Sequence, residues 1–151
     1  KETYFKQIQL DTTNVVFNNT EKKFLDTIVI VGLNQLKLDD IVITIYPLTE
    51  GAKSNFSSSG ELKAHIREQN GYYYIWIDDL SRYESVEVIT HELIHLKQYH
   101  DKRLLLEGNI PVWLGEAYPI ETTPYENRPW ETEAFSDGNE LKNKVETILF
   151  E

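Results

Sequence analysis

The chain has 151 residues, 40% of them hydrophobic and 12% aromatic, so it can bury one core and is predicted to be a single domain over residues 1–151. Its 25 acidic and 15 basic residues give a net charge of −10, which argues against nucleic acid or anionic lipid as a partner. The absence of cysteine excludes disulfides, iron–sulfur clusters, zinc–thiolate sites and cysteine nucleophiles. No apolar run approaches the roughly 18 residues of a membrane span.

The first 18 residues are polar and rich in Asn and Thr, which predicts a loosely ordered arm ahead of the domain. The sequence contains no methionine and begins at Lys1. This predicts a mature bacterial protein whose leader has been removed, and therefore an extracytoplasmic location: secreted, periplasmic or lipoprotein.

The next segments carry a helix signal and then a strand signal. Asn19 or Thr20 can cap a helix over residues 21–36, because apolar residues recur there at helical spacing. The segment Ile41–Pro47 is rich in Ile and Val and predicts a strand. Residues 49–60 are rich in Gly, Ser and Asn and predict a mobile loop.

A β-hairpin is predicted in the middle of the chain. Asn70-Gly71 lies between two strand-like runs, Glu61–Glu68 and Tyr72–Asp78. Asn-Gly suits the positive φ angles of a two-residue hairpin turn, so this is a strong short-range signal.

A long helix follows the hairpin. Ser81 and Glu84 form a capping box, which predicts a helix from Arg82 to about Leu106 with Gly108 just beyond its end. Apolar residues occupy more than one side of this segment, so the helix is predicted to be central and largely buried.

The C-terminal third is predicted to cross the domain irregularly and then form a last helix. Residues 109–127 contain three prolines and predict an irregular segment. Pro129 suits the first turn of a helix that continues from Trp130 to about Phe150. The predicted fold class is α+β, with a small mixed sheet and its hairpin packed on the central helix and the C-terminal helix.

The chemistry resides in His91-Glu92-Leu93-Ile94-His95 on the central helix, an HExxH motif. His91 and His95 are four residues apart, so their rings share one helical face and can reach one Zn²⁺ ion. Glu92 lies about 100° around the helix, close enough to hold a water on that metal. We therefore predict His91 and His95 as metal ligands and Glu92 as the catalytic base.

A third ligand is expected, because catalytic zinc usually takes three protein ligands and a water. Residues 98 and 101 are Gln and Asp, so the HExxHxxGxxH pattern is absent, and a carboxylate from the last helix is predicted instead. Helical phase places Glu131 inside the predicted apolar stripe of this helix, which consists of Trp130, Ala134, Gly138, Leu141, Val145 and Ile148. Glu133 falls about 100° from Ala134 on the other side. Glu131 is preferred and Glu133 is the alternative.

These residues resemble the zincin metallopeptidases of the gluzincin type, in which HExxH is followed by a glutamate on a downstream helix. The Glu131–Ala134 spacing resembles small bacterial gluzincin-like groups, whose metal glutamate precedes a small residue by three. Residues 132–137 resemble the thermolysin-type segment, which favours Glu133. Gln98, as part of HExxHxxQ, and residues 128–134 look like small uncharacterised bacterial and phage proteins of predicted peptidase type.

The resemblance implies a zincin-like fold, a Zn²⁺ cofactor and hydrolysis of peptide or protein substrates, with Glu92 moving the proton. It also implies an edge strand that pairs with extended substrate, for which Tyr72–Asp78 and Glu61–Glu68 are both candidates. Three side chains are candidates for oxyanion stabilisation: Tyr118, Tyr125 and Arg128. The alternative is a catalytically inactive metal-binding or interaction module on the same fold. A monomer is expected.

Overall fold

The computed structural model describes residues 9–10, 19–38, 41–48 and 63–150. Within these ranges the chain is a mixed α+β structure with three α-helices and two small sheets, in agreement with the predicted class. In chain order the elements are β1 (Gln9–Leu10), α1 (Asn19–Gln35), β2 (Val42–Pro47), β3 (Ala64–Gln69), β4 (Tyr72–Ile77), α2 (Arg82–His100), β5 (Leu104–Glu107), β6 (Ile110–Trp113), β7 (Glu116–Ala117) and α3 (Pro129–Phe150). The predicted arm lies outside the described residues except for β1, and the predicted loop 49–60 lies wholly outside them.

Among the described strands the larger sheet has the order β1-β2-β4-β3, so β3 forms one edge of this set. The strands β1, β2 and β4 are mutually parallel neighbours, whereas β3 is antiparallel to β4, which makes the sheet mixed as predicted. Asn70 and Gly71 form the turn between β3 and β4 with φ angles of +54° and +83°. Both angles are positive, as a type I′ turn requires, and the predicted hairpin is confirmed.

One hydrophobic core joins this sheet to the three helices. Side chains alternate along β2 and β4, so Ile43, Ile45 and Ile75 are buried while their sequence neighbours are partly exposed. Ile28 of α1 and Leu93 of α2 are also fully buried in this core. Helix α2 contacts α1, α3 and β3, which gives it the central position predicted from its apolar residues.

The N-terminus of α2 is set by the predicted capping box. Ser81 has extended backbone angles, and its hydroxyl accepts a hydrogen bond from the Glu84 N–H at 3.2 Å. The same hydroxyl lies 3.3 Å from the Glu84 carboxylate. Such a cap stabilises a helix by about 1 kcal/mol, and it fixes the start of the helix that carries the HExxH motif.

The predicted C-terminus of α2 was wrong. The helix ends at His100 rather than near Leu106, because Lys102 takes a left-handed conformation with φ of +61°. The next N–H, on Arg103, then bonds back to the Gln98 carbonyl at 3.0 Å and closes the last turn. Gly108 does not follow a helix either; with φ of +64° it lies in the tight turn between β5 and β6.

The segment 109–127, predicted to be irregular, contains two strands. β5, β6 and β7 form a second, three-stranded antiparallel sheet, followed by two short 3₁₀ turns at Ile120–Thr122 and Tyr125–Asn127. Leu104 pairs with Trp113, and both are buried against Trp130 in a small second core. The local sequence at Leu104 is compatible with either a helix or a strand. Burial of Leu104 against Trp130 of α3 stabilises the strand.

Helix α3 runs from Pro129 to Phe150, as predicted. Its buried stripe is the predicted one, except that Ile148 is 51% exposed; the buried members are Trp130, Ala134, Gly138, Leu141 and Val145. Across the described ranges, no helix combines the length and the apolar character that crossing a membrane requires.

Candidate metal centre

His91 and His95 lie one turn apart on α2, as the HExxH spacing predicts. Their ring centroids are 4.9 Å apart, and the rings meet edge to face. The His95 side chain is 8% exposed and that of His91 is 23% exposed. His95 is therefore the more buried of the two rings, and His91 lies nearer to solvent.

Glu131, on the first turn of α3, reaches both rings. Its Oε1 atom lies 3.3 Å from Nε2 of His91 and 3.1 Å from Nε2 of His95. The Tyr125 hydroxyl donates a third hydrogen bond to the same oxygen at 3.0 Å. Burial opposes ionisation of Glu131, but the hydrogen bonds from these three side chains outweigh it and hold the pKa of Glu131 well below its usual range.

These spacings fit a tetrahedral metal ion. With bonds of about 2.0–2.1 Å, neighbouring ligands of tetrahedral zinc are separated by about 3.3 Å. Both nitrogen–oxygen separations at Glu131 are close to that value. The donor set of two imidazoles and one carboxylate is also one that catalytic zinc uses. The donor types of His91, His95 and Glu131 and the two nitrogen–oxygen separations therefore suit Zn²⁺.

Glu92 is 7% exposed and lies beside the histidines. The ligand-type atoms of His91, Glu92 and His95 are all within 4.8 Å of one another. Burial raises the pKa of Glu92, and the adjacent histidines oppose this effect. The pKa of His95 is lowered by burial but raised more by Glu131 and Glu92, to about 9 in the metal-free protein. The centre is thus a compact group of coupled charges.

Glu133, the alternative ligand, points away from the two rings. Its Oε2 atom accepts a hydrogen bond from Nη1 of Arg103 at 2.7 Å, and Oε1 accepts one from Nε2 of Gln98 at 3.1 Å. Arg103, Gln98 and Glu133 together make a polar support beside the centre. The structure brings Glu131 to the histidines and leaves Glu133 in this support.

Gln98 is a residue whose contribution the sequence did not reveal. Its side chain is fully buried, and its Oε1 atom lies 2.9 Å from Nδ1 of His95. The signal available in the sequence was a glutamine three residues after a predicted ligand on a predicted buried helix. The partners that hold its amide come from α3, which no local pattern could show.

The two helices of the centre approach closely at small residues. A Cβ atom added to Gly138 of α3 would lie 3.3 Å from Cα of His91. Ala134, one turn earlier, is fully buried. A larger side chain at either position would push α3, and Glu131 with it, away from α2.

A cleft of about 790 Å³ opens over the centre. Its floor includes Glu92 and the histidines, and Ala64 and Ile66 of the edge strand β3 line one wall. Phe135 lines the cleft with its ring edge-on to His91 at 5.1 Å, and 60% of its surface is exposed. A large exposed aromatic ring at this position can contact a ligand side chain.

Of the three candidates for oxyanion stabilisation, Tyr125 alone lines the cleft. Tyr118 meets Trp130 edge to face and donates to Glu116, so it packs against the second sheet. Arg128 donates from Nε to the Thr123 carbonyl at 3.0 Å and lies over the Tyr125 ring. Arg128 therefore supports Tyr125 and does not reach the centre itself.

The other two histidines do not join the centre. His100 is exposed beside Asp101 at the end of α2. His65 lines the cleft from β3 and packs on Trp76, and burial lowers the pKa of His65 to about 4, which keeps it neutral at pH 7. Within the described part of the chain, the ligand-type atoms of His91, Glu92 and His95 lie together, and Glu131 joins the two histidines through Oε1.

Comparison with known proteins gives no family for this chain. No protein-family model matches it, and neither curated proteins nor solved structures give a match. The geometry of the centre is therefore the basis for assigning a function to this chain.

Proposed function

We propose that this protein is a zinc-dependent metallopeptidase with a zincin-like fold. His91, His95 and Glu131 hold the metal in this proposal, and Glu92 is the catalytic base. The observation that carries it is the convergence of Glu131 Oε1 on both Nε2 atoms, 3.3 Å and 3.1 Å away, beside a buried carboxylate at the floor of an open cleft.

The residues divide the work of peptide hydrolysis. Zn²⁺, when bound, supplies a Lewis acid that lowers the pKa of a bound water towards about 7. Glu92 accepts the proton of the attacking water and passes it to the nitrogen of the leaving amine as the C–N bond breaks. Burial raises the pKa of Glu92, which suits a group that must both take and return a proton near neutral pH.

The edge strand β3 gives a reason to expect a peptide as substrate. β4 is paired on both sides within the sheet, so of the two candidate strands β3 is the one at the edge of the described residues. The Asp78 N–H bonds to the Lys63 carbonyl at 2.9 Å, and the pairing alternates from there. The N–H and C=O groups of Ala64 and Ile66 therefore face away from β4, and both residues line the cleft. An extended peptide can add to this edge by strand pairing.

The proposal is tested by metal content and hydrolysis together. Purified protein equilibrated with micromolar Zn²⁺ and then dialysed is expected to hold one zinc per chain. A quenched fluorescent peptide library is expected to be cleaved by the wild type and not by Glu92→Gln, with zinc retained in both. A folded protein that holds no zinc would overturn the proposal. A zinc-loaded wild type that cleaves no peptide would favour the inactive metal-binding module.

A further inference from the structure

Gln98 makes three hydrogen bonds from a fully buried position on α2. Its Oε1 atom is 2.9 Å from Nδ1 of His95. Its Nε2 atom donates to the Trp130 carbonyl at 3.0 Å and to Oε1 of Glu133 at 3.1 Å. The amide thus touches a proposed ligand on one side and the first turns of α3 on the other.

These partners leave the amide one orientation. The Trp130 carbonyl can only accept a hydrogen bond, so it must face the NH₂ group of Gln98. Glu133 is an ionised acceptor as well, because its other oxygen binds Arg103 at 2.7 Å. With both NH₂ hydrogens used there, the oxygen of Gln98 is the atom that faces His95.

An amide oxygen only accepts, so Nδ1 of His95 must carry the hydrogen that lies between them. We infer that Gln98 is a positioning residue: it holds His95 in the Nδ1–H tautomer and so presents the lone pair of Nε2 to the metal. The inference rests on the proposed metal centre and adds to it a residue that touches neither metal nor substrate.

The same amide ties the ligands of the two helices together. Trp130 directly precedes Glu131, so the bond from Gln98 to the Trp130 carbonyl fixes the turn that presents Glu131. Arg103 and Glu133 form an ion pair whose side chains are 30% and 25% exposed. Through Oε1 of Glu133, this pair holds the Gln98 amide from the solvent side. Glu133 therefore acts on the centre through Gln98 and not as a ligand.

Nuclear magnetic resonance of the zinc-loaded wild type tests the tautomer directly. A long-range ¹H–¹⁵N correlation of the histidine rings is expected to show His95 with a protonated Nδ1, whose proton exchanges slowly with water, and a metal-bound Nε2. A spectrum in which Nδ1 of His95 binds the metal and Nε2 carries the proton would overturn the inference without any variant.

Gln98→Leu removes the acceptor and keeps a similar volume. Zinc affinity, measured by competition with a chromogenic chelator, is expected to fall about 10–100-fold, and the slowly exchanging Nδ1 proton is expected to disappear. The matched control is Thr90→Val, because Thr90 is equally buried on α2 and its hydroxyl bonds only to the backbone of its own helix. That variant is expected to keep the affinity and the Nδ1 signal even if its melting temperature falls.

Gln98→Glu separates the acceptor of this amide from its donor. The carboxylate at 98 still accepts from Nδ1 of His95 but has no hydrogen for the Trp130 carbonyl, so the Nδ1 signal is expected to remain while zinc affinity falls below that of the wild type. Unchanged affinity and an unchanged Nδ1 signal in Gln98→Leu would overturn the inference and leave the proposed function standing. A wild type that binds no zinc would overturn the proposed function, and this inference with it.

Discussion

Gly138 of α3 packs directly on the backbone of His91, with space for a Cβ only 3.3 Å from the His91 Cα. Backbone cannot yield as a flexible side chain can, so this contact sets the distance between the two helices. Glu131 is seven residues earlier on the same helix, on the side that faces the histidines. The spacing of the candidate metal centre thus depends on Gly138, a residue without a side chain.

Gly138→Ala is expected to weaken zinc binding as well as the fold. Overpacking costs about 1–3 kcal/mol, offset by up to about 1 kcal/mol because alanine favours helix. Gly32→Ala is the matched control: its added Cβ meets the end of the Leu93 side chain on the other side of α2. Chelator competition and thermal melts are expected to show a loss of zinc affinity in Gly138→Ala alone. Equal affinity losses would show that the helix contact does not set the centre.

Glu131→Gln and Glu133→Gln separate ligand from support. Glu131→Gln removes the carboxylate that meets both rings, so the loss of zinc affinity is expected to exceed the roughly 10–100-fold typical of a supporting residue. Glu133→Gln breaks the ion pair with Arg103 but keeps an acceptor for Gln98, so its loss is expected within or below that range. Chelator competition on both variants gives the ranking, and the reverse order would make Glu133 the ligand.

The position of Glu131 follows from sequence because α3 is regular from its first turn. The apolar stripe that includes Trp130 and Ala134 shows which side of the helix faces the core. Because each residue turns a helix by about 100°, Glu131 is predicted to lie on that side. The capping box at Ser81 and the Asn70-Gly71 turn could be predicted for the same reason: the conformation of each depends on residues only a few positions away.

The end of α2 was misjudged because the deciding contacts are distant in sequence. Three consecutive leucines at 104–106 fit a helix or a strand, and Lys102 carries no signal for the left-handed conformation it adopts. Burial of Leu104 against Trp113 and Trp130 selects the strand. That same change of direction brings Arg103 to Glu133, so the support around Gln98 could not be predicted either.

Glu92→Gln is expected to abolish most peptide hydrolysis while zinc stays bound. A neutral amide can occupy the same buried space but cannot take a proton from water, and general-base catalysis contributes about 10²–10⁴-fold. Hydrolysis rates of a cleaved library peptide and elemental analysis of the same samples measure the two effects. Wild-type hydrolysis by this variant would assign the proton transfer to another group.

Zinc-free protein is expected to lose stability as the pH rises from 6.5 to 9. The pKa of His95 is about 9 in the fold against an ordinary value of 6.5. A group with a raised folded-state pKa stabilises fully below its unfolded value, and this contribution disappears as the pH passes the folded one. Melting temperatures in EDTA are expected to fall across this window for the wild type and less for His95→Gln.

Zinc affinity is expected to rise over the same window, because zinc displaces the ring proton. Parallel melting curves for the two proteins would contradict the assignment to His95.

Tyr125→Phe is expected to lower kcat of peptide hydrolysis and to leave the fold intact. The Tyr125 hydroxyl donates to Glu131 at 3.0 Å from a half-exposed position on the cleft, so it can turn towards a developing oxyanion without a change in the backbone. Loss of one such donor costs about 10²–10³-fold in kcat in other hydrolases, and a donor that only supported Glu131 would change zinc affinity instead. Tyr118→Phe is the matched control, because that hydroxyl binds Glu116 outside the cleft. Steady-state kinetics and chelator competition on both variants distinguish the two roles. A fall in kcat with unchanged zinc affinity would support oxyanion stabilisation. Weakened zinc binding with unchanged kcat at saturating zinc would show that Tyr125 only supports Glu131.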